Sequence, residues 1–278
     1  MKIIGAGDNV VDYYKEREEI YPGGNALNVA VLAKRYGAEA VSYMGIIGDD
    51  YKADHIVNSL IAENIDISKI RKVCGPNGES VIALNEELDR IFIGSNQGGV
   101  QSTVKLNFIE EDLRFIAEHD LLHSSMYSHT ETEIPKLAKV IPVSFDFSSK
   151  YDEEYLQLLC PHVTYAFFSG SELTEEEGIQ LMRHASELGV KVCVMTRGSE
   201  GALALVKGKI YKQGIVNANV VDTLGAGDSF IAMFLLDYHL NQDVQEAMQK
   251  AAQAAAATCE IYGAFGHGIS NVPAGNAV

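Results

Sequence analysis

The stretch Asp222-Thr223-Leu224-Gly225-Ala226-Gly227-Asp228-Ser229-Phe230 sets three small residues and a carboxylate directly before an apolar run. Small residues at 225 to 227 permit a tight turn in which several backbone N–H groups face one way. The helix that follows adds its own unpaired N–H groups and the positive end of its dipole. That combination suits a phosphoryl group. A carboxylate beside an anion site is unfavourable unless it has a task, such as taking the proton of a hydroxyl that attacks phosphorus. Asp228 could equally be the helix-start residue of an ordinary glycine turn.

A second glycine site, Tyr21-Pro22-Gly23-Gly24-Asn25-Ala26-Leu27-Asn28, leads into a helix predicted to end near Gly37. Its amides suit a polyhydroxylated ligand, and Asp12 would accept two hydroxyl hydrogen bonds in the same pocket. A third, Thr196-Arg197-Gly198-Ser199-Glu200-Gly201, follows a strand, where open α/β sheets place ligands. Gly5-Ala6-Gly7-Asp8-Asn9-Val10 lacks the third glycine of a dinucleotide fingerprint, and no P-loop string occurs. His119, His123 and His129 lack metalloprotease spacing and suit structural or substrate-contact roles.

The elements that must hold these sites alternate. Runs at 121–123, 143–145, 163–168 and 191–195 read as buried strands. Ile179, Met182, Ala185 and Leu188 recur at helical spacing before Gly189. This predicts an α/β fold with a mostly parallel sheet flanked by helices, ending in a hairpin over 202–211. Two segments, about 10–21 and 78–100, break the pattern and are expected to form a small β lid that excludes water from the site. Residues 266–278 lack a core pattern and are expected to fray.

A chain of 278 residues, 47% hydrophobic, is expected to form one large domain with that small appendage. Four widely spaced cysteines predict neither a disulfide framework nor a metal cluster, and suit a reducing cytoplasm. The net charge of −16 argues against nucleic acid and anionic membranes as partners. The start, Met1 to Gly5, is too short for a signal or a span and reads as a first strand.

Taken in order, GGNALN at 23–28, TRGSEG at 196–201 and DTLGAGDSF at 222–230 resemble the ribokinase-like sugar kinases, the PfkB family. The resemblance runs through about residue 265. It implies a large α/β domain with a β lid, an ATP-dependent phosphotransferase activity and Mg2+. By that resemblance Asp228 is the general base, and Gly225, Ala226 and Gly227 form the anion hole. Asp12, Gly23, Gly24 and Asn28 are the sugar contacts. Thr196, Gly198 and Gly201 belong to the nucleotide loop, and the helix around Ala252 to Ala256 walls the adenine side. A monovalent cation such as K+ near Asp222 and the Gly263 loop follows from the family alone, as does homodimer pairing through the lid, for which Ile91 and Ile93 are apolar candidates. The family's Asn-x-x-Glu reads Ser169-Gly170-Ser171-Glu172, so Glu172 keeps the metal-side acid without the Asn. Met233 replaces a small residue in the signature helix, a change expected to touch packing only.

Local strings at 7–13, 24–31 and 145–151 resemble the members that act on fructoselysine, an amino-acid-linked fructosamine. The expected reaction is transfer of the γ-phosphoryl group to a primary hydroxyl of such a ketose derivative. Asp8, Asp12, Glu86, Glu87 and Asp89 are candidates to attract the substrate's ammonium, and Arg90 to neutralise its carboxylate. Fructose, 2-keto-3-deoxygluconate or nucleoside kinases of the same family are alternatives, as is a non-catalytic sugar-binding regulator.

Overall fold

The computed structural model describes residues 1–84 and 90–271. The lid acids Glu86, Glu87 and Asp89 lie outside the described residues, as do 272–278 and the side chain of Arg90. The chain opens with β1 (Lys2–Ala6), β2 (Val10–Tyr14), β3 (Glu19–Gly23), α1 (Asn25–Arg35) and β4 (Ala40–Met44). Next come β5 (Ile46–Ile47), α2 (Tyr51–Ala62), β6 (Arg71–Lys72), β7 (Glu79–Leu84) and β8 (Arg90–Ser95). The middle alternates α3 (Glu110–Ile116), β9 (Leu121–Ser125), α4 (Ile134–Leu137), β10 (Val143–Asp146), α5 (Glu153–Leu159), β11 (Tyr165–Ser169), α6 (Glu175–Glu187) and β12 (Val192–Thr196). It finishes with β13 (Ala202–Val206), β14 (Lys209–Gln213), α7 (Ala226–Asn241), α8 (Val244–Thr258) and β15 (Ile269–Ser270).

Eight strands form the main sheet in the order β14-β13-β12-β11-β10-β9-β1-β4. From β4 to β12 every pair is parallel, and β13 and β14 close that edge as an antiparallel hairpin. Parallel strands buried on both faces should be apolar on both sides. In β1, Ile3 packs into the core beneath α1, α7 and α8, while Ile4 enters the opposite core with α3 to α6. In β12, Val192 and Val194 serve the first core, Cys193 and Met195 the second. Helix α7 is apolar all round because it is buried between neighbours. Phe234 stacks on Phe230 and Tyr238 within it, and Met233 packs at the core's edge. Capping matches the sequence, with Thr174 and Glu177 forming a reciprocal box at the start of α6.

A five-stranded sheet, β15-β3-β2-β7-β8, rises beside the carboxyl ends of the parallel strands. Its inner face carries Tyr14, Tyr21 and Ile82, packed with Tyr262 and Leu224. Both segments expected to leave the main sheet are in it. The expectation of a frayed tail fails for residues 266–271. Ile269 pairs with Ile20 across β3, Asn271 N–H donates to the Glu18 carbonyl at 2.8 Å, and Tyr51 donates to Asn271 at 2.5 Å. His267 Nε2 lies 2.6 Å from Glu63. A two-residue strand carries too little pattern to be recognised in advance, and its partner lies some 250 positions earlier. Deleting residues 266–278 is therefore expected to lower stability by roughly 1–3 kcal/mol, the worth of a few such bonds and one half-buried ion pair. Urea unfolding checks this, and an unchanged midpoint would mean the tail contributes nothing.

Candidate active site

Helix α1 begins at Gly24, which has no side chain to cap it. Asp8, in the loop after β1, supplies the cap from outside. Its Oδ2 accepts from Asn25 N–H at 2.6 Å and its Oδ1 from Ala26 N–H at 3.2 Å, while Ser125 and Ser128 donate their hydroxyls to Oδ1. A buried carboxylate is tolerable there because helix-start N–H groups and the dipole favour negative charge. Asp8 thus anchors the start of α1 as well as lining the cavity described below. Gly23 has a plain reason too: a Cβ there would overlap a carboxylate oxygen of buried Asp12.

With α1 so anchored, its first turn faces α7. Asn25 Nδ2 donates to Asp228 Oδ1 at 2.8 Å, and Asn28 Nδ2 donates to Asp228 Oδ2 at 2.7 Å. The remaining hydrogen of Asn25 Nδ2 goes to Asp146 Oδ2 at 2.8 Å, and Ser148 N–H donates to Asp146 Oδ1 at 2.8 Å. Asn28 Oδ1 is buried without a hydrogen-bond partner at the cavity wall, an acceptor that a ligand hydroxyl could satisfy. Of the three histidines, His119 bonds Ser42, His129 lines the cavity, and buried His123 bonds Asn25 and Ser144.

These residues line a cavity of about 770 Å³, walled by Asp8, Asp12, Gly24, Asn25, Asn28, Asp146 and Asp228, with Phe92 from β8 at its rim. Phe92, Ile91 and Ile93 are all substantially exposed, and Ile91 and Ile93 alternate with Phe92 along the strand. A second cavity of about 530 Å³ lies between Thr196, Gly198 and Gly201 on one side and Ala252, Ala255 and Ala256 on the other, with Ile215 and Val216 across it. Gly227 lines both cavities. The two glycines flanking Ala226 have different reasons to be glycine. Gly225 caps α7 at φ 77°, and a Cβ on it would come within 2.6 Å of Ala264 Cα, so the fold demands it. A Cβ on Gly227 would meet open space. Gly227 thus leaves room where the two cavities meet at the first turn of α7.

The small sheet is tied to this loop. Tyr14 donates its hydroxyl to Asp222, whose oxygens also accept from Leu224 N–H at 3.0 Å and Gly263 N–H at 2.9 Å. Glu172 is exposed on the turn after β11 and is absent from the walls of both cavities among the described residues, whereas Ser169 lines the first. His123 was read from the sequence only as a structural or substrate-contact histidine, and Asp146 was given no role at this site, because the partners of both lie far along the chain.

Burial pushes the Asp146 carboxyl up to about 7; the Ser148 N–H opposes this, the charges of Asp228 and Asp8 add to it, and the Asn25 amide opposes it again. Burial pulls the His123 imidazole down to about 3. Between its ordinary value and about 7, Asp146 holds a proton in the folded chain that the unfolded chain releases, so its contribution to stability declines as pH rises through that window. His123 has the opposite sign: the unfolded chain binds the proton between about 3 and 6.5, so stability declines as pH falls there. The two contributions oppose each other where the windows overlap. Asp146→Asn removes only the first. Its stability relative to the parent is expected to climb from about pH 4.5 to about pH 7, by on the order of 1 kcal/mol per pH unit. Urea unfolding at both ends of that range measures it, and a pH-independent difference would mean Asp146 is ionised throughout.

A family profile described as pfkB family carbohydrate kinase matches residues 2–266. Fructosamine kinase FrlD of Bacillus subtilis is 52% identical over 268 residues, covering 96% of this chain and 94% of that protein. Fructoselysine 6-kinase of Escherichia coli is 33% identical over 261 residues, covering 93% and 97%. Among solved structures, Arabidopsis thaliana ribokinase complexed with ribose and ATP superposes with a TM-score of 0.79 at 21% identity, over 95% of this chain and 94% of that one. A putative ribokinase II from E. coli in complex with ATP and Mg2+ gives 0.81 at 18% identity, over 95% and 94%. The expected ribokinase-like fold is therefore the observed one. The matched span contains every cavity residue named above, and the chain belongs to the pfkB family of carbohydrate kinases.

Proposed function

We propose that this chain transfers the γ-phosphoryl group of ATP to the 6-hydroxyl of an amino-acid-linked ketosamine, fructoselysine or a related fructosamine. The observation that carries the reaction is the junction at Gly227, common to a polar cavity and an apolar one, with Asp228 next to it. The polar cavity takes the sugar: Asp12, Asn28 and the backbone at Gly23 and Gly24 meet its hydroxyls. The apolar cavity takes the nucleotide, its base against the alanines of α8 and its phosphates along Thr196, Gly198 and Gly201. Relatives named for fructosamine and fructoselysine support the choice of sugar.

In this reading Asp228 accepts the proton of the acceptor hydroxyl as its oxygen bonds to the γ-phosphorus and the bond to the β–γ bridging oxygen breaks, releasing ADP. Asn25 and Asn28 hold the carboxylate for that step. The backbone N–H groups at Gly225, Ala226 and Gly227 and the start of α7 stabilise the charge on the transferring group. The small sheet acts as a lid, and the Tyr14–Asp222 bond couples its seating to the anion loop. Mg2+ supplies neutralisation of the phosphate oxygens. Glu172 is the metal-side acid by family resemblance alone, since it is exposed on the turn after β11 and outside the walls of both cavities. A monovalent cation at Asp222 has weaker support, since three protein donors already serve that carboxylate. Exposed Ile91 and Ile93 support homodimer pairing through the lid. A cytoplasmic setting is supported by the wide spacing of the four cysteines along the chain.

Asp228→Asn is expected to lower kcat by ~10²–10⁴-fold with KM for the sugar little changed. Steady-state kinetics with ATP, Mg2+ and a panel of fructoselysine, fructose, ribose, ketodeoxygluconate and adenosine decides both parts. Near-parental turnover in the variant removes Asp228 from the reaction; fructose or ribose far outrunning fructoselysine overturns the substrate and leaves the kinase intact. Lys150 lines the sugar cavity, with Nζ 4.0 Å from the Tyr155 ring centre, and is the cation assigned to the substrate's carboxylate. Lys150→Met is expected to raise KM for fructoselysine roughly tenfold and leave that for plain fructose unchanged. Equal effects on both sugars would end that assignment.

A further inference from the structure

We propose that His123 is a positioning residue for phosphoryl transfer: its Nε2–H holds the Asn25 amide in the orientation that presents both amide hydrogens to Asp146 and Asp228. This rests on reading Asp228 as the base.

His123 sits in the middle of β9, wholly shielded from solvent. A neutral imidazole has one donor and one acceptor. Its two partners are side chains, Ser144 Oγ at 2.9 Å from Nδ1 and Asn25 Oδ1 at 2.9 Å from Nε2. An amide oxygen only accepts, so Nε2 carries the hydrogen and Nδ1 takes the serine proton. The tautomer follows from the orientation of Asn25, and two carboxylates dictate that orientation. Turning the amide over would aim Oδ1 at the Asp228 carboxylate, which accepts from Asn25 and Asn28 and would then lose a donor. The Ser144–His123–Asn25 chain thus has one self-consistent hydrogen-bond direction, running from the sheet interior to the cavity.

A histidine needed only to fill the core would have no reason to end at the group that spans two cavity carboxylates. Without the imidazole donor, Asn25 Oδ1 is left buried and unpaired, and the amide gains a reason to rotate away. Asp146 and Asp228 would then face each other with less screening. The other charged or titratable groups around this cavity cannot substitute for the amide. Asp8, Asp12 and Glu131 add negative charge, Tyr127 and His129 stand on the loop after β9, and Lys150 comes from the loop after β10. Like charges brought together bind a shared proton more readily, so the pair would be protonated at higher pH.

The test uses the full chain with His123→Leu, His123→Gln and Ser144→Ala, each checked for folding by circular dichroism. The readout is kcat and KM across pH with the best sugar of the panel. His123→Leu is expected to lower kcat by ~10–100-fold, with KM little changed and the acid limb of kcat moved up by about one pH unit. His123→Gln, which can still offer an N–H to Asn25, is expected to recover most of that loss. Ser144→Ala is expected to move the limb the same way by less, and it serves alone if the leucine variant does not fold. A folded variant with parental kcat and acid limb but reduced thermal stability overturns the proposal and makes His123 a core residue. If Asp228→Asn keeps its turnover, the base assignment falls separately. The relay is then judged by the ¹⁵N signals of His123, which must show the Nε2–H tautomer; an Nδ1–H tautomer refutes it.

Discussion

Four aspartates, Asp8, Asp12, Asp146 and Asp228, border one cavity, and everything around the site answers the repulsion among them. Burying a carboxylate is costly unless donors replace water, and burying several side by side raises the cost further. The start of α1 relieves most of it. Its backbone N–H groups take Asp8, and the amides of its first turn take Asp228 and one oxygen of Asp146. Asp146 also receives the Ser148 N–H, and still keeps its proton to about 7. One helix end thus makes a polar, negatively lined pocket possible at the edge of an apolar sheet.

That helix end must be placed accurately, and the layers on either side do so. Helix α1 packs against α7, which carries Asp228, and lies over β1, which leads to Asp8. Because α7 is buried, its N-terminus has little room to shift relative to the sheet. The anion loop before it is gripped from two further sides: Ala264 fills the space beside Gly225, and Tyr14 reaches Asp222 from the small sheet. Tyr14, Tyr21 and Tyr262 form an edge-on cluster against Leu224, so the small sheet and the loop share one apolar contact. The small sheet and the loop before α7 are thus joined by packing as well as by a hydrogen bond.

The two cavities divide the chemistry by polarity. Directional amides and carboxylates suit a hydroxylated sugar, while alanines with Ile215 and Val216 suit a flat base. Gly227 is where they meet, and its missing side chain leaves the passage clear.

Sequence alone determined what is encoded contiguously. The alternation of buried strands with a 3.6-period helix specifies the parallel sheet, and the small residues before α7 specify a tight turn into a helix, because turn chemistry and helix starts are local. Asp228, Asn28 and Gly227, which line one cavity, could be picked out for the same reason. Tertiary structure decided what depends on partners distant along the chain. Asn25 meets Asp146 and Asp228 at separations of 121 and 203 positions, and His123 meets Asn25 at 98. That α1 starts on Asp8 was not visible along the chain, and β15 looked like a frayed end until β3 lay beside it. In a string of letters a histidine or aspartate within a strand has no visible partner. Its proton affinity and its role are set by burial and by neighbours that only folding brings within hydrogen-bond reach.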